Sequence, residues 1–478
     1  MTYRKQALAL LWYAITVACA PSFALPQGAS PPTTGASAAV VKSLIDSILP
    51  GELKAGRIPG AAIAVVVGDS ILFSTGYGVA SVDDTSSRVT AQALFRIAST
   101  TKMLTAAAVL AAQSQGLLRL DAPISTWSPG LATAIGRLTL RDLLRHTSGL
   151  REGSSYFGSH DEEALGRFVQ AWSDTMLFAP ADDIFSYSNL GYAMAGHILA
   201  SASHDSYSAA MSRLLFTPLG MKRSTLVPTQ AMTFPLIQGH DLDSLGRPQV
   251  VRPFSDDTRY WPAGSAFTSA DEMARFVIAL LNGGRLHGSR ALPRDVVEAM
   301  LTRQTDVADG AANERVGYTF GLVERWRGTT RLLQHGGARI GFGSVVRMIP
   351  ARRIGIVILA NRTGALPART LESLTTLLVP EASSPSSAQG DGVMVPVSDA
   401  PELLGHYINS PPELDLSLVN SKGVVALRQA RDIVATPIRR LRDGRYSAGA
   451  QVFTIAKGRR TQDQYLVIAS HALRKARR

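Results

Sequence analysis

The 478-residue sequence contains a single cysteine, Cys19, and it lies inside an apolar N-terminal stretch. With that stretch removed, no disulfide, thiol nucleophile or thiolate metal ligand remains. Outside residues 7–20 no apolar run is long enough to cross a bilayer. There is no His-Glu-x-x-His, no Gly-x-Ser-x-Gly elbow, no phosphate-cradling glycine loop and no internal repeat. No metal site and no cofactor are therefore expected, and His197, in an apolar helical run, reads as a core histidine. Charged residues are sparse at 18%, while 46% hydrophobic content is that of an ordinary globular chain.

What is present at the N-terminus has the order of a secretory signal: Arg4 and Lys5, the apolar stretch, then Ser22-Phe-Ala24 as a small-x-small cleavage site. The expectation is an exported protein, periplasmic or secreted, with a signal peptide at 1–24 and no stable membrane span after cleavage. Thr16-Val-Ala-Cys19 is a poor lipid-attachment box, so lipidation of Cys19 is the lesser alternative. Residues 25–38, rich in Pro, Gly, Ala, Ser and Thr, form a linker. A main domain follows at 39–380, a Ser/Gly/Ala linker at 381–398 and a small β domain at 399–478. The net charge is +12, and the last domain holds 14 Lys+Arg against 7 Asp+Glu. That excess serves solubility or an association with an anionic cell-wall polymer. No nucleic-acid motif accompanies it, so nucleic acid is not an expected partner.

Periodicity predicts a helix from residue 41 to 48 closed by Pro50-Gly51, then strands at 61–67 and 71–76 joined as a hairpin. The run 61–67 is apolar on both faces, as in a strand placed centrally in a helix-covered sheet. An all-apolar helix at 103–112 is a buried one, and 117–230 is mostly helical. Strand character returns at 331–334, before a loop at 335–343, and at 345–349 and 354–360; a closing helix spans 363–378. Strands, then helices, then strands specify an α+β fold: an antiparallel sheet flanked by helices with an all-helical insertion. The tail adds a small antiparallel β domain.

Chemistry concentrates at Phe95-Arg-Ile-Ala-Ser99-Thr-Thr-Lys102, the entry to the buried helix. Ser99 and Lys102 are one turn apart on one face. A lysine that is partly buried beside the positive end of a helix loses its charge readily and becomes a usable base. A serine hydroxyl beside such a base becomes a nucleophile. In Tyr187-Ser-Asn189, a phenol whose pKa a neighbouring cation lowers can relay a proton, and an amide can orient the lysine or a substrate. His335-Gly336-Gly337 lets a substrate backbone lie along a strand, with the N–H groups of Ala338 and Ser99 placed as an oxyanion hole.

In this order, Ser99-x-x-Lys102, Tyr187-x-Asn189 and His335-Gly-Gly337 resemble the serine β-lactamase and penicillin-binding protein superfamily, in its class C β-lactamase-like branch with esterases and D-aminopeptidases. Leu140-Arg-Asp-Leu-Leu-Arg-His-Thr-Ser-Gly-Leu150 and Pro262-Ala-Gly-Ser-Ala-Phe-Thr-Ser-Ala-Asp271 extend the likeness. The resemblance implies a β-lactamase/transpeptidase-like fold and an acyl-enzyme on Ser99. Lys102 and Tyr187 would share the base role, and Asn189, His335, Gly336, Gly337 and Ala338 would bind substrate, a small molecule or peptide. The departure is His335, where β-lactamases of this branch usually carry Lys. A neutral histidine suits an ester, amide or D-amino-acid peptide, unless Arg339 supplies the cation that a β-lactam or D-Ala-D-Ala substrate calls for. The alternatives are a β-lactamase or DD-peptidase proper, and a non-catalytic wall-binding protein.

Overall fold

The computed structural model describes residues 36–308, 316–382, 392–409, 415–430, 432 and 434–476. The expected signal segment with Cys19, most of the linker at 25–38 and the middle of the linker at 381–398 lie outside these residues. Among the described residues, eight antiparallel strands form the main sheet, in the order Ser70–Gly78, Gly60–Val67, Ile354–Ala360, Phe342–Ile349, Thr330–Arg339, Val323–Arg327, Val316–Tyr318 and Thr305–Val307.

The two-sided apolarity of Gly60–Val67 is used in full. Ala62, Ala64 and Val66 pack into a core built around helix Thr101–Ser114, which is buried from Thr101 to Ala112. Ala61, Ile63 and Val65 pack on the other face against Val41, Ile45, Leu49 and Leu53 of helix Ala38–Ala55 and Leu371, Leu374 and Leu378 of helix Ala368–Leu378. The strand is second from the sheet's edge rather than central, with Ser70–Gly78 outside it. The helical insertion lies on the face that carries Thr101–Ser114, so the molecule's main part is helix, sheet, helix.

Several boundaries differ from expectation. The first helix runs through Pro50 to Ala55, because Leu53 continues the buried stripe of Val41, Ile45 and Leu49. The closing helix starts only at Ala368; Thr363 before it is spent accepting from Gly341 N and donating to His240 O. The expected loop at 335–343 is strand as far as Arg339. The strands at 305–307 and 316–318 escape periodicity because three residues are too few to show it, and 323–327 because it buries charge rather than alternating: Glu324 accepts from Arg303 at 2.9 Å and from Arg331 at 3.0 Å.

The second domain is an antiparallel near-barrel at the C-terminus. Val393–Met394, assigned to the linker by composition, pairs with Arg439–Arg440 in its sheet. Its strands Gln464–Ile468 and His471–Lys475 meet in a two-residue turn, Ala469-Ser470, with both φ angles positive (48° and 67°). This is the twist-matched hairpin turn.

Pairing within Thr330–Arg339 is asymmetric. Val323–Arg327 covers it only from Thr330 to Gln334, whereas Phe342–Ile349 covers it from Leu333 to Arg339. From His335 onward one edge is thus free of a neighbouring strand and faces the turn that carries Ser99. A Cβ on Gly337 would sit 2.5 Å from Ile97 O and closer to Ser344 Oγ, whereas one on Gly336 would meet nothing nearer than 3.9 Å. Gly337→Ala is therefore expected to lose about 1–3 kcal/mol by overpacking. Gly336→Ala stays within about 0.5 kcal/mol of the parent. Urea denaturation of the two variants checks both.

Candidate active site

Ser99 sits in a short turn, Ala98–Thr100, just ahead of helix Thr101–Ser114. Ala98 holds φ +49°, a conformation that costs a non-glycine residue energy and turns the next side chain out of the helix path. The turn is pinned from behind. Thr100 Oγ1 and Ser344 Oγ both donate to Ile97 O at 2.6 Å.

Lys102 is fully buried, and its Nζ has three partners: Asn189 Oδ1 at 2.6 Å, Ala263 O at 2.6 Å and Ser99 Oγ at 3.4 Å. A neutral amine has two hydrogens and one lone pair. Donated to Asn189 and Ala263, the hydrogens leave the lone pair for the Ser99 hydroxyl. Burial pushes the Lys102 pKa down to about 7, against the pull of the Glu152 carboxylate. The expected basic lysine is in place.

Glu152 escaped the sequence reading. Its carboxylate accepts from Asn189 N at 2.8 Å and Asn189 Nδ2 at 2.5 Å, so the Asn189 amide links it to Lys102. Burial raises its pKa to about 7, opposed by those bonds and by Lys102. An acid and an amine joined through one amide titrate as a pair. The only sequence signal was an acid two residues after the motif that ends at Leu150.

Tyr187 lies with its ring centroid 4.7 Å from Lys102 Nζ, and Ser99 acts on its phenol to favour the ionised form. The expectation of a lowered phenol pKa is corrected. Burial raises it well above 10, and the neighbouring Ser99 offsets only part of this. The cation invoked for the lowering has a pKa of about 7 and is only partly charged near neutral pH. Tyr187 therefore acts as a protonated phenol, and Lys102 is the group able to accept a proton. Behind it stands His146, ring centroids 4.4 Å apart, whose Nδ1 accepts from Ser188 N at 3.1 Å. Tyr187 N donates to Ser470 O of the second domain at 2.9 Å, and the His471 ring lies 5.7 Å from the Tyr187 ring.

His335 is buried 6.2 Å from the Tyr187 ring, centroid to centroid. Burial, helped by Lys102, lowers its pKa to about 3, so the imidazole is neutral as expected. Its Nδ1 bonds Gly336 O at 2.6 Å, and its Nε2 has no hydrogen-bond partner among the described residues. Arg339 does not take over as a substrate cation. It is buried and spends its guanidinium on Gly264 O (2.7 Å), Ser265 Oγ (3.0 Å), Ser255 O (3.1 Å) and Ser255 Oγ (3.3 Å). His197 is a core residue bonded to Ser128 Oγ at 2.9 Å.

Ser99, Lys102, Tyr187, Asn189 and His335 are therefore brought together, with Gly336, Gly337 and Ala338 on the free strand edge beside them. A family model described as Beta-lactamase matches residues 45–379. Penicillin-binding protein 4 of Amycolatopsis lactamdurans is 30% identical over 313 residues, 64% of this chain and 81% of that protein. The crystal structure of SurE superposes with a TM-score of 0.73 at 22% identity, over 92% of this chain and all of that one. A class C beta-lactamase superposes with a TM-score of 0.59 at 22% identity, over 73% and 97%. At these identities the two structures speak for the fold, and SurE for the fold of both domains.

Glu152 holds the charge of Lys102 in place, so its removal leaves desolvation unopposed. Glu152→Gln is expected to lower the Lys102 pKa. The acid limb of a pH–rate profile for fluorophosphonate labelling of Ser99 then moves to lower pH, which stopped-time mass spectrometry checks.

Proposed function

This chain belongs to the beta-lactamase family, and on that premise we propose that it is an exported serine hydrolase cleaving an amide or ester bond through a Ser99 acyl-enzyme. The observation that carries the proposal is Lys102 Nζ, buried, anchored by two acceptors at 2.6 Å and 3.4 Å from Ser99 Oγ.

In this mechanism Lys102 takes the Ser99 proton as Oγ attacks the substrate carbonyl carbon. The N–H groups of Ser99 and Ala338 receive the developing oxyanion. The Tyr187 phenol passes its proton to the leaving nitrogen or oxygen and is reprotonated from Lys102. A water then enters and attacks the acyl carbon while giving a proton to the same pair; the Ser99 Oγ–carbon bond breaks, the acid leaves and that proton returns to Ser99 Oγ. With Glu152 joined to Lys102 through Asn189, a proton on Lys102 has a second residence, which keeps the pair's total charge constant.

Substrate class follows from charge. The free edge from His335 to Ala338 carries a neutral imidazole, and Arg339 is committed to backbone and hydroxyl oxygens. Among the described residues the site offers no uncommitted cation there for a substrate carboxylate, which supports an ester, a neutral amide or a D-amino-acid peptide over a β-lactam. Export rests on the signal-like N-terminus; among the described residues no helix is long and apolar enough to cross a membrane.

The test is intact-mass labelling with a fluorophosphonate, followed by a panel of p-nitrophenyl esters, D-amino-acid p-nitroanilides and nitrocefin. Label is expected on the parent and not on Ser99→Ala, with ester or anilide turnover exceeding nitrocefin turnover. Lys102→Ala is expected to reduce labelling by about 10²–10⁴-fold, the usual worth of a positioned base. Equal labelling of parent and Ser99→Ala overturns the proposal.

A further inference from the structure

The backbone from 184 to 188 has no regular structure, yet it carries Tyr187 and leads into Asn189. An irregular buried segment has to find its hydrogen-bond partners outside itself. On one side they come from His146: Ser186 N donates to His146 O at 2.9 Å, and Ser188 N to its ring. On the other side they come from the C-terminal domain.

That second set has three parts. At the start of the segment Asp183, 0% exposed, accepts from Arg460 N (2.7 Å), Thr461 N (2.8 Å), Thr461 Oγ1 (2.7 Å) and Tyr465 Oη (2.7 Å). In its middle, Ser186 Oγ accepts from Ala472 N at 3.1 Å and Tyr187 N donates to Ser470 O. The third part is one side chain. Asn409 Oδ1 accepts from Glu152 N at 3.3 Å, while Asn409 Nδ2 donates to Ala472 O at 2.8 Å and to Ser186 Oγ at 3.5 Å. A single amide of the second domain thus ties the backbone of Glu152 to the segment that carries Tyr187. Behind these bonds Phe178, Ala179 and Ile184 share a small core with Tyr465, Val467 and Ala472.

We propose that the C-terminal β domain is a positioning part of the catalytic apparatus: Asn409, the Ser470 turn and the Asp183 clasp hold segment 183–188 so that Tyr187 and Asn189 meet Ser99 and Lys102. This rests on the reading of Ser99 as the nucleophile. Asn409 and Tyr465 are positioning residues; neither is placed on the reacting atoms. The strained pair Ala469-Ser470 gives the hairpin a rigid tip, suited to fixing a backbone a few ångströms from the chemistry. Undocked, the domain would leave the segment its His146 bonds, the Ser188 Oγ bond to Arg151 O and the packing of Phe185 on Tyr318, but none of the bonds that fix Asp183, Ser186 Oγ and Tyr187 N, and the phenol and amide would be held less firmly against the amine.

The experiment uses the full chain and three variants: Asn409→Ala, the milder Tyr465→Phe, and Ser99→Ala as control. Two quantities are read: the rate of Ser99 labelling by a fluorophosphonate, and amide hydrogen exchange over 183–189 and over helix Thr101–Ser114. Asn409→Ala is expected to label about 10-fold more slowly, in line with the cost of misplacing a catalytic group. With an ester substrate the fall appears in kcat rather than KM. Tyr465→Phe is expected to slow labelling by about 3-fold, the scale of one net hydrogen bond. In both, segment 183–189 loses protection while Thr101–Ser114 keeps it. Parental labelling with parental protection of 183–189 overturns the inference. So does an equal loss of protection over Thr101–Ser114 in both variants, which marks general loosening instead. A parent that takes no label on Ser99 overturns the hydrolase reading, and the exchange comparison alone then upholds or overturns the docking.

Discussion

The burial of one amine governs this molecule. Lys102 stands in the first turn of a helix that is buried for twelve residues, and water cannot stabilise its charge there. The cost of that desolvation brings its pKa to about 7 and turns an ordinary cation into a base. A buried amine also needs its hydrogens accounted for. Asn189 Oδ1 and Ala263 O take them, and each of these acceptors belongs to a separately positioned element. The geometry of the whole cleft is then the set of supports that keep those two acceptors and the Ser99 hydroxyl around one nitrogen.

The supports divide between the sheet and the insertion. The sheet supplies a strand that loses one neighbour at Gln334 and so presents a bare edge from His335 onward. Gly337 lets that edge close on Ile97 and Ser344, the residues that pin the Ser99 turn. The insertion supplies Glu152 and Tyr187 on irregular backbone, which is where functional side chains commonly sit on a rigid scaffold, and Asn189 on the first residue of helix Asn189–Ser203. Irregular backbone has no ladder of its own, and its hydrogen bonds go to His146 and to the C-terminal domain. The same charge accounting describes the cleft. The site's ionisable groups are an amine and an acid driven toward neutrality, an uncharged imidazole, and an arginine whose donors end on Ser255, Gly264 and Ser265.

Much of this was legible in the linear pattern. The apolar run behind Ser99 announced a buried helix, and burial of Lys102 followed from its place at the start of that helix. The two-faced run at 61–67 announced a sheet covered on both sides. Tyr187, Asn189 and His335 were legible through their order along the chain, because the resemblance to serine β-lactamases is carried by that order. Glu152 was not legible, since one acid in a loop has no periodicity and its role exists only through Asn189. The strands at 305–307 and 316–318 were missed because three residues are too short a run for a period to show, and 323–327 because it buries Glu324, Arg325 and Arg327, which erases the alternation a half-buried strand shows.

By itself the sequence determined that Ser99 and Lys102 share one face at the entry to a buried helix, the antiparallel α+β class and the small β domain at the end. These depend on spacing within a turn or a strand, and such spacing is local. Tertiary structure alone decided that Tyr187 is a protonated phenol, that Arg339 is committed elsewhere, that Glu152 reaches Lys102 through Asn189, and that Asn409 and Ser470 touch the site from another domain. Each depends on what lies across space from a group, on its desolvation and on its hydrogen-bond partners, and neither quantity is encoded in the spacing of residues along the chain.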